Sequence, residues 1–392
     1  MAKYIVVHSG ARDKYKLAEV LYKNGKLGFL VTDDIIFRSE YKDLFPNEVI
    51  RIPFFSLIVK AFLKIHNWGE GVQQFNNYLL GMYAGKLSKK YNMPLLALQE
   101  YAYHAYKYSD VHPRLVFQYH PQASSDKRIF EEELQRHPNS VTLKKEIEIY
   151  TPKKLEQGIR ELNETDYFIA ASSFTKQTLI ENGANPSNIF VAPYGVNTNH
   201  YPFKKRETPR KISFVFVGSL VERKGLYYLL NAAKRLEDEG LDFELKFTAR
   251  NTQDTSMFAE YGLKNVTIYN NLSHDQLIDL LHSSDVFVFP SLFEGFAFVI
   301  IEAMSTGLPV ITTPRTIGLD VISNGQEGFI IPPSDIDALV EKMKYFIKNP
   351  ETCTEMGGKA AIKAKELTWE NFESQIMNAI NTIENNNNII DQ

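Results

Sequence analysis

Short apolar runs alternate with stretches of helical period along most of this chain. From 211 onward the runs KISFVFV (211–217), FELKFTA (243–249), VTIYN (266–270), DVFVFP (285–290) and PVITT (309–313) read as β-strands. Between the first two, GLYYLLNAAKRLED (225–238) places Leu226, Leu229, Leu230, Ala233 and Leu236 on one helical face. The first half repeats the alternation less regularly. YIVV (4–7), LGFLVT (27–32), PLLAL (94–98), RLVFQYH (114–120), DYFIA (166–170) and NIFVAP (188–193) read as strands, and ARDKYKLAEVLYKNG (11–25) as a helix. Strands alternating with helices predict parallel sheets covered on both faces, which bind ligands outside the carboxyl ends of their strands. The expected fold class is therefore α/β, with two doubly wound Rossmann-like domains facing a central cleft. The polar, Pro-containing stretch 194–211 is read as the linker. The boundaries are 1–200 for the N-terminal domain and 201–366 for the C-terminal one. A helix in 367–392 is expected to cross back to the first domain and to fray at NNNNIIDQ.

One segment departs from simple patterning. PSLFEGFAFVIIEAMSTGLPV (290–310) is apolar, yet carries Glu294 and Glu302. A strand ending at Pro290, a loop SLFEG and a helix starting near Phe296 and closing at Gly307 would deliver the backbone N–H groups of Gly295, Phe296 and Ala297 to the carboxyl edge of the sheet. Amides so placed form an anion site, and Gly295 permits close approach of a ligand. A carboxylate in an apolar helix needs hydrogen-bond donors. The vicinal hydroxyls of a ribose would supply them to Glu302, and Glu294 would bond a sugar. The competing reading is a structural salt bridge at Glu302 and a merely exposed Glu294. The sequence GSLVERKG (218–225) follows the first strand of the same half and carries Arg223 and Lys224, suited to a diphosphate.

FVFVGSLVERKGLYYLL, HSSDVFVFPSLFEGFAFVIIEAMSTGLPVITT and ISNGQEGFIIPPSDIDAL together resemble the nucleotide-binding half of the retaining family-4 glycosyltransferases, which have the GT-B fold. The E-x7-E spacing matches at Glu294 and Glu302. The resemblance is strong over about 211–345 and looser over 172–197. It implies a retaining transfer of a sugar from a UDP- or GDP-linked donor to a hydroxyl acceptor, in surface polysaccharide, O-antigen, capsule or glycolipid synthesis. It gives Glu302 the donor ribose, Glu294 and the amides after Gly295 the sugar and phosphate, and Lys224 the diphosphate. Gly218 and Ser219 lie in the phosphate loop. Family members commonly carry Arg where this chain has Ser219, so Arg223 is the candidate to replace that charge. HSGARDKY (8–15) sits where the family has a glycine loop, which marks Gly10, and FQYHPQ (117–122) sets His120 where members place a histidine against the donor sugar. His120, Glu294 and Lys224 are the expected catalytic residues. No cofactor is implied beyond the donor substrate. A sugar-nucleotide 2-epimerase and a non-catalytic sugar-nucleotide-binding subunit remain as alternatives.

Composition narrows the picture further. The chain has 392 residues, 44% hydrophobic and 23% charged, too long for one ordinary core. No apolar run approaches the roughly 18 residues of a membrane span, and MAKYIVVHSG reads as a first strand rather than a leader. A single cysteine, Cys353, forbids an internal disulfide and suits a reducing compartment, so the cytoplasm is expected. Residues 1–200 carry a net charge of +4 and the rest −7, too little to suggest nucleic acid. No Cys/His cluster is present, and Asp33 and Asp34 are adjacent and so do not form a separated Asp-x-Asp, so no metal is expected. RIPFFSLIVKAFLKIHNW (51–68) sets Phe54, Phe55, Ile58, Phe62 and Ile65 in a stripe flanked by Arg51, Lys60 and Lys64. This suits a membrane surface or lipidic acceptor, or else a partly buried helix.

Overall fold

The computed structural model describes residues 2–9, 15–33, 48–51, 69–208, 211–249 and 257–390. Gly10, the stripe at 52–68 and most of the TARNTQ stretch (248–253) fall outside the described residues.

The chain forms two parallel sheets. The first contains β1 (Tyr4–Val7), β2 (Leu27–Thr32), β3 (Val49–Arg51), β4 (Leu95–Leu98), β5 (Leu115–Gln118), β6 (Tyr167–Ala170) and β7 (Ile189–Val191), in the order β3-β2-β1-β4-β5-β6-β7. The second contains β8 (Ile212–Phe216), β9 (Phe243–Ala249), β10 (Val266–Asn270), β11 (Val286–Phe289), β12 (Val310–Thr312) and β13 (Gly328–Ile330), in the order β10-β9-β8-β11-β12-β13. Every residue of β1, β4, β5, β6, β8 and β11 is buried. Helices on both faces make this necessary, and it explains why these strands read as nearly continuous apolar runs, interrupted by Gln118 in β5 and Ser213 in β8.

Both orders reverse direction once, between β1 and β4 and between β8 and β11. At such a switch point the connections leave the sheet toward opposite faces and open a crevice beyond the strand ends. His8 and Ser9 follow β1, and Gln99 and Glu100 follow β4. Gly218 lies just after β8, and Pro290 follows β11. The two crevices therefore carry the candidate residues of both halves.

The halves are tied together by polar contacts. Ser140 Oγ donates to both carboxylate oxygens of Glu222 at 2.8 Å, and Thr142 joins it. Glu133, 2% exposed, accepts from the Tyr228 hydroxyl and from Ser334 Oγ at 2.7 Å. The Ser173 amide donates to Asp320 Oδ2 at 3.1 Å. The last helix, Trp369–Ile390, returns to the first half. Lys26 Nζ pairs with Glu384 at 2.7 Å, and Asn24 Nδ2 donates to Glu373 at 2.9 Å.

Candidate functional site

The loops on either side of Glu294 are tied into one unit. Residues Glu222–Lys224 form a single 3-10 turn that ends at Gly225. Gly225 has φ +76°, and a Cβ there would lie 1.9 Å from the Pro290 carbonyl oxygen, so only glycine fits. The Arg223 carbonyl accepts from the Leu292 amide (2.8 Å) and from Ser291 Oγ (3.0 Å). Arg223 Nη1 donates to the Phe293 carbonyl (3.0 Å) and to Glu294 Oε1 (2.9 Å). Lys224 Nζ donates to the same carboxylate oxygen, and Ser291 Oγ adds a third bond at 2.9 Å. Glu294 is 7% exposed. Burial pushes its carboxyl upward, but Arg223 and Lys224 outweigh it and hold the group below the usual carboxylate range. Burial likewise draws Lys224 below the ordinary lysine range, against the pull of Glu294.

Glu294 is thus neither exposed nor yet a sugar ligand. It is the counter-ion of the two cations expected to hold a diphosphate, and it fixes both of them in place.

The helix expected near Phe296 runs from Phe298 to Ser305. Ala297 precedes it in the left-handed region, φ 72°, an uncommon place for a residue with a Cβ. Among the described residues, the amides of Gly295, Phe296 and Ala297 donate to no protein acceptor. Gly295 is needed for a different reason from the one the sequence suggests. A Cβ there would lie 1.9 Å from the Tyr119 carbonyl oxygen and 3.0 Å from the His120 Cα. The chain itself makes the close approach. The Gly295 carbonyl also accepts from Ser172 Oγ (2.7 Å) and Thr175 Oγ1 (3.2 Å).

That contact sets His120 beside the Glu294 loop, its ring centroid 6.0 Å from that of Phe293, edge to face. Three glutamine bonds shape the His120 loop: the His120 amide donates to Gln99 Oε1 (3.1 Å), Gln118 Nε2 donates to the His120 carbonyl (2.9 Å), and Gln99 Nε2 donates to the Pro121 carbonyl (3.3 Å). The His120 carbonyl is thereby engaged, and the imidazole is the group presented to the cleft. His8, Ser9, Gln99, Glu100, His120 and Asp126 line part of a cavity of about 440 Å³ at the carboxyl edge of the first sheet.

Glu302 lies on the Phe298–Ser305 helix, partly exposed. It makes no ion pair within 4 Å among the described residues, which removes the salt-bridge reading there. Its carboxylate interacts with the Tyr201 hydroxyl and lies near His274, and burial raises it above the ordinary carboxylate range. Ser219 is exposed, and the Gly218 amide donates to Thr248 Oγ1 at 3.2 Å. Asp33 accepts from Ser9 Oγ (2.9 Å) and Asn76 Nδ2 (2.7 Å), bracing the end of β1.

A family model described as glycosyl transferases group 1 matches residues 197–363. The matched stretch contains Arg223, Lys224, Glu294 and Glu302. The chain is 28% identical over 216 residues to an MMP alpha-(1->4)-mannosyltransferase of Mycolicibacterium hassiacum, covering 52% of this chain and 51% of that protein. It is 29% identical over 233 residues to the capsular polysaccharide biosynthesis glycosyltransferase CapM of Staphylococcus aureus, covering 54% and 60%. The alignments thus span little more than half the length of these relatives. The chain superimposes on Anabaena HepE, solved in complex with UDP and glucose. The TM-score is 0.65 and the identity 14%, with 97% of this chain and all of that one covered. The fold is therefore GT-B.

Sequence reasoning missed Asp126, Tyr201, Ser172 and Thr175. Asp126 and Ser172 carried a local signal, an acid in the first turn of a helix and a serine N-cap, but not the partner that gives each its place.

Proposed function

We propose that the chain is a glycosyltransferase that moves a sugar from a nucleoside-diphosphate sugar to a hydroxyl acceptor, with retention of anomeric configuration and without a metal. The observation that carries this reading is the Arg223–Lys224–Glu294 cluster at the switch point of the stretch that matches the group 1 model, facing His120 of the other half. The two cations suit a departing diphosphate, whose growing charge they would stabilise without moving. The free amides of Gly295, Phe296 and Ala297 add donors on the same side. Glu302, with no cationic partner among the described residues, suits the paired hydroxyls of a ribose. HepE is solved with UDP and glucose, and the mannosyltransferase and CapM give the class of chemistry, which supports a surface-glycan or glycolipid setting.

In this reading the protein positions substrates and supplies fixed charge. The acceptor hydroxyl attacks on the face that the diphosphate leaves, and a phosphate oxygen takes its proton. A thermal-shift panel of UDP- and GDP-linked sugars tests the donor, since a ligand selective for the folded state raises its melting temperature. Proton NMR of fresh product tests the stereochemistry: an α-linked donor is expected to give an α-linked product. A panel without any stabilising nucleotide sugar, or a β-linked product, overturns the proposal.

A further inference from the structure

Asp126 stands out from the other buried acids. It lies in the first turn of the Ala123–Arg136 helix and is 2% exposed. Its Oδ2 is 3.1 Å from His120 Nδ1 and accepts from the Tyr150 hydroxyl at 3.1 Å. Its Oδ1 is buried without a hydrogen-bond partner. Burying a carboxylate costs free energy, more so with one oxygen unsatisfied. Asp126 is not the helix cap, a place that Gln122 fills by accepting from the Ser124 amide. The acid nevertheless lies against the one histidine that the two halves bring to the Glu294 loop.

The imidazole has only two polar atoms. An ionised Asp126 offers Nδ1 an acceptor and no donor, so the proton of the neutral ring belongs on Nδ1. Nε2 is then left with a lone pair. The remaining contacts of the loop fix the direction of the ring. The His120 backbone is clamped by Gln99 and Gln118, and the ring edge meets Phe293. Tyr150 donates to the same Oδ2 that faces the ring and so holds that oxygen in place.

We infer that Asp126 is a positioning residue that holds His120 in the Nδ1–H tautomer, so that Nε2 accepts a hydrogen bond from a hydroxyl of the transferred sugar. This rests on the transferase reading above and assigns His120 an acceptor role that sequence spacing does not define. No proton is transferred: the sugar hydroxyl keeps its hydrogen, and the bond orients the ring of the sugar against the Arg223–Lys224 side of the cleft. His120 touches the substrate, and Asp126 acts only through it.

The test begins with the unaltered protein. Two-bond proton–nitrogen correlation spectra of ¹⁵N-histidine-labelled chain at pH 8.5, assigned with His120→Gln, report which ring nitrogen is protonated. The expected result is a protonated Nδ1 and a bare Nε2. A protonated Nε2, alone or together with Nδ1, overturns the inference, whatever the enzyme's activity. Asp126→Asn is nearly isosteric and should fold. It is expected to release the tautomer, lower kcat about tenfold or more, change the nucleotide-sugar KM less than about threefold, and leave UDP or GDP affinity unchanged. An unaltered tautomer or an unaltered kcat in a folded Asp126→Asn protein overturns it. The tautomer is read without turnover, so a failure of the transferase reading shows up separately, as absent donor binding in the wild-type protein.

Discussion

Arg223 Nη1 lies 2.9 Å from Glu294 Oε1, the same oxygen that receives Lys224 Nζ. One carboxylate thus neutralises two cations that stand 71 and 70 positions earlier in the chain. Removing it leaves those cations facing each other. Glu294→Gln is expected to lose on the order of 3 kcal/mol of stability, the usual penalty for breaking a buried pair. Added UDP or GDP should restore stability to this variant more than to the wild type, because a diphosphate replaces the missing anion. Lys224→Ala and Arg223→Ala should weaken diphosphate binding more than nucleoside binding. Differential scanning fluorimetry with nucleoside and nucleoside diphosphate checks all three. Equal stabilisation of Glu294→Gln and wild type would place the diphosphate elsewhere.

Glu302 interacts with the Tyr201 hydroxyl but with no cation within 4 Å among the described residues. Glu302→Ala should therefore cost nucleotide affinity more than stability. The expected loss is roughly 1.5–3 kcal/mol of binding, typical of hydrogen bonds to a charged group. Isothermal titration with UDP and GDP measures it. Unchanged affinity together with a large drop in melting temperature would assign the carboxylate to Tyr201 and His274 alone.

Gly295 makes one of the contacts between the halves. In Gly295→Ala the new methyl would meet the Tyr119 carbonyl oxygen at 1.9 Å, and neither backbone can yield without opening the cleft. Turnover is expected to fall at least tenfold, while each half keeps its own secondary structure. Small-angle scattering should show a larger radius of gyration than the wild type. A variant with wild-type turnover and dimensions refutes this role.

On the proposed reading, Arg223, Lys224 and the amides of Gly295, Phe296 and Ala297 would together stabilise the leaving diphosphate. Activity is accordingly expected to persist in excess EDTA and to be unaffected by added magnesium or manganese. Activity lost in chelator and regained with either ion would overturn that expectation.

Two buried groups of the first half oppose each other in pH. Burial raises Glu161 from 4.5 to about 7, although the Tyr103 and Glu100 amides bond it. Burial lowers His104 from 6.5 to about 4, helped by Lys107 and Lys153. The stability linked to Glu161 is full below pH 4.5 and is lost as pH rises through about 7. That linked to His104 is full above pH 6.5 and is lost as pH falls through about 4. Between pH 4.5 and 6.5 the two slopes oppose. Glu161→Gln should make stability rise with pH in that window, and His104→Phe should make it fall. Each slope should approach about 1.4 kcal/mol per pH unit. Urea unfolding from pH 4.5 to 7.5 reads both, and parallel profiles for the two variants would contradict the assignment.

The sequence by itself determined most of the framework. Ile212–Phe216, Val286–Phe289 and Tyr4–Val7 announce themselves because a strand buried on both faces is apolar at nearly every position, Ser213 being the exception. Glu294 and Glu302 were visible because a carboxylate in such surroundings demands a partner. Val49–Arg51 and Gly328–Ile330 escaped notice: three residues carry too little period, and their pairing with β2 and β12 makes them strands. The helix start also moved, from about Phe296 to Phe298, because Ala297 takes a left-handed turn that its type does not advertise. Only the tertiary structure decided the partners of the site. It set Glu294 against Arg223 and Lys224, Gly295 against Tyr119, and Asp126 against His120. Periodicity records which face of an element is buried, and so it is local. A contact between Gly295 and Tyr119 depends on how two separately wound sheets meet, and no pattern within either segment encodes it.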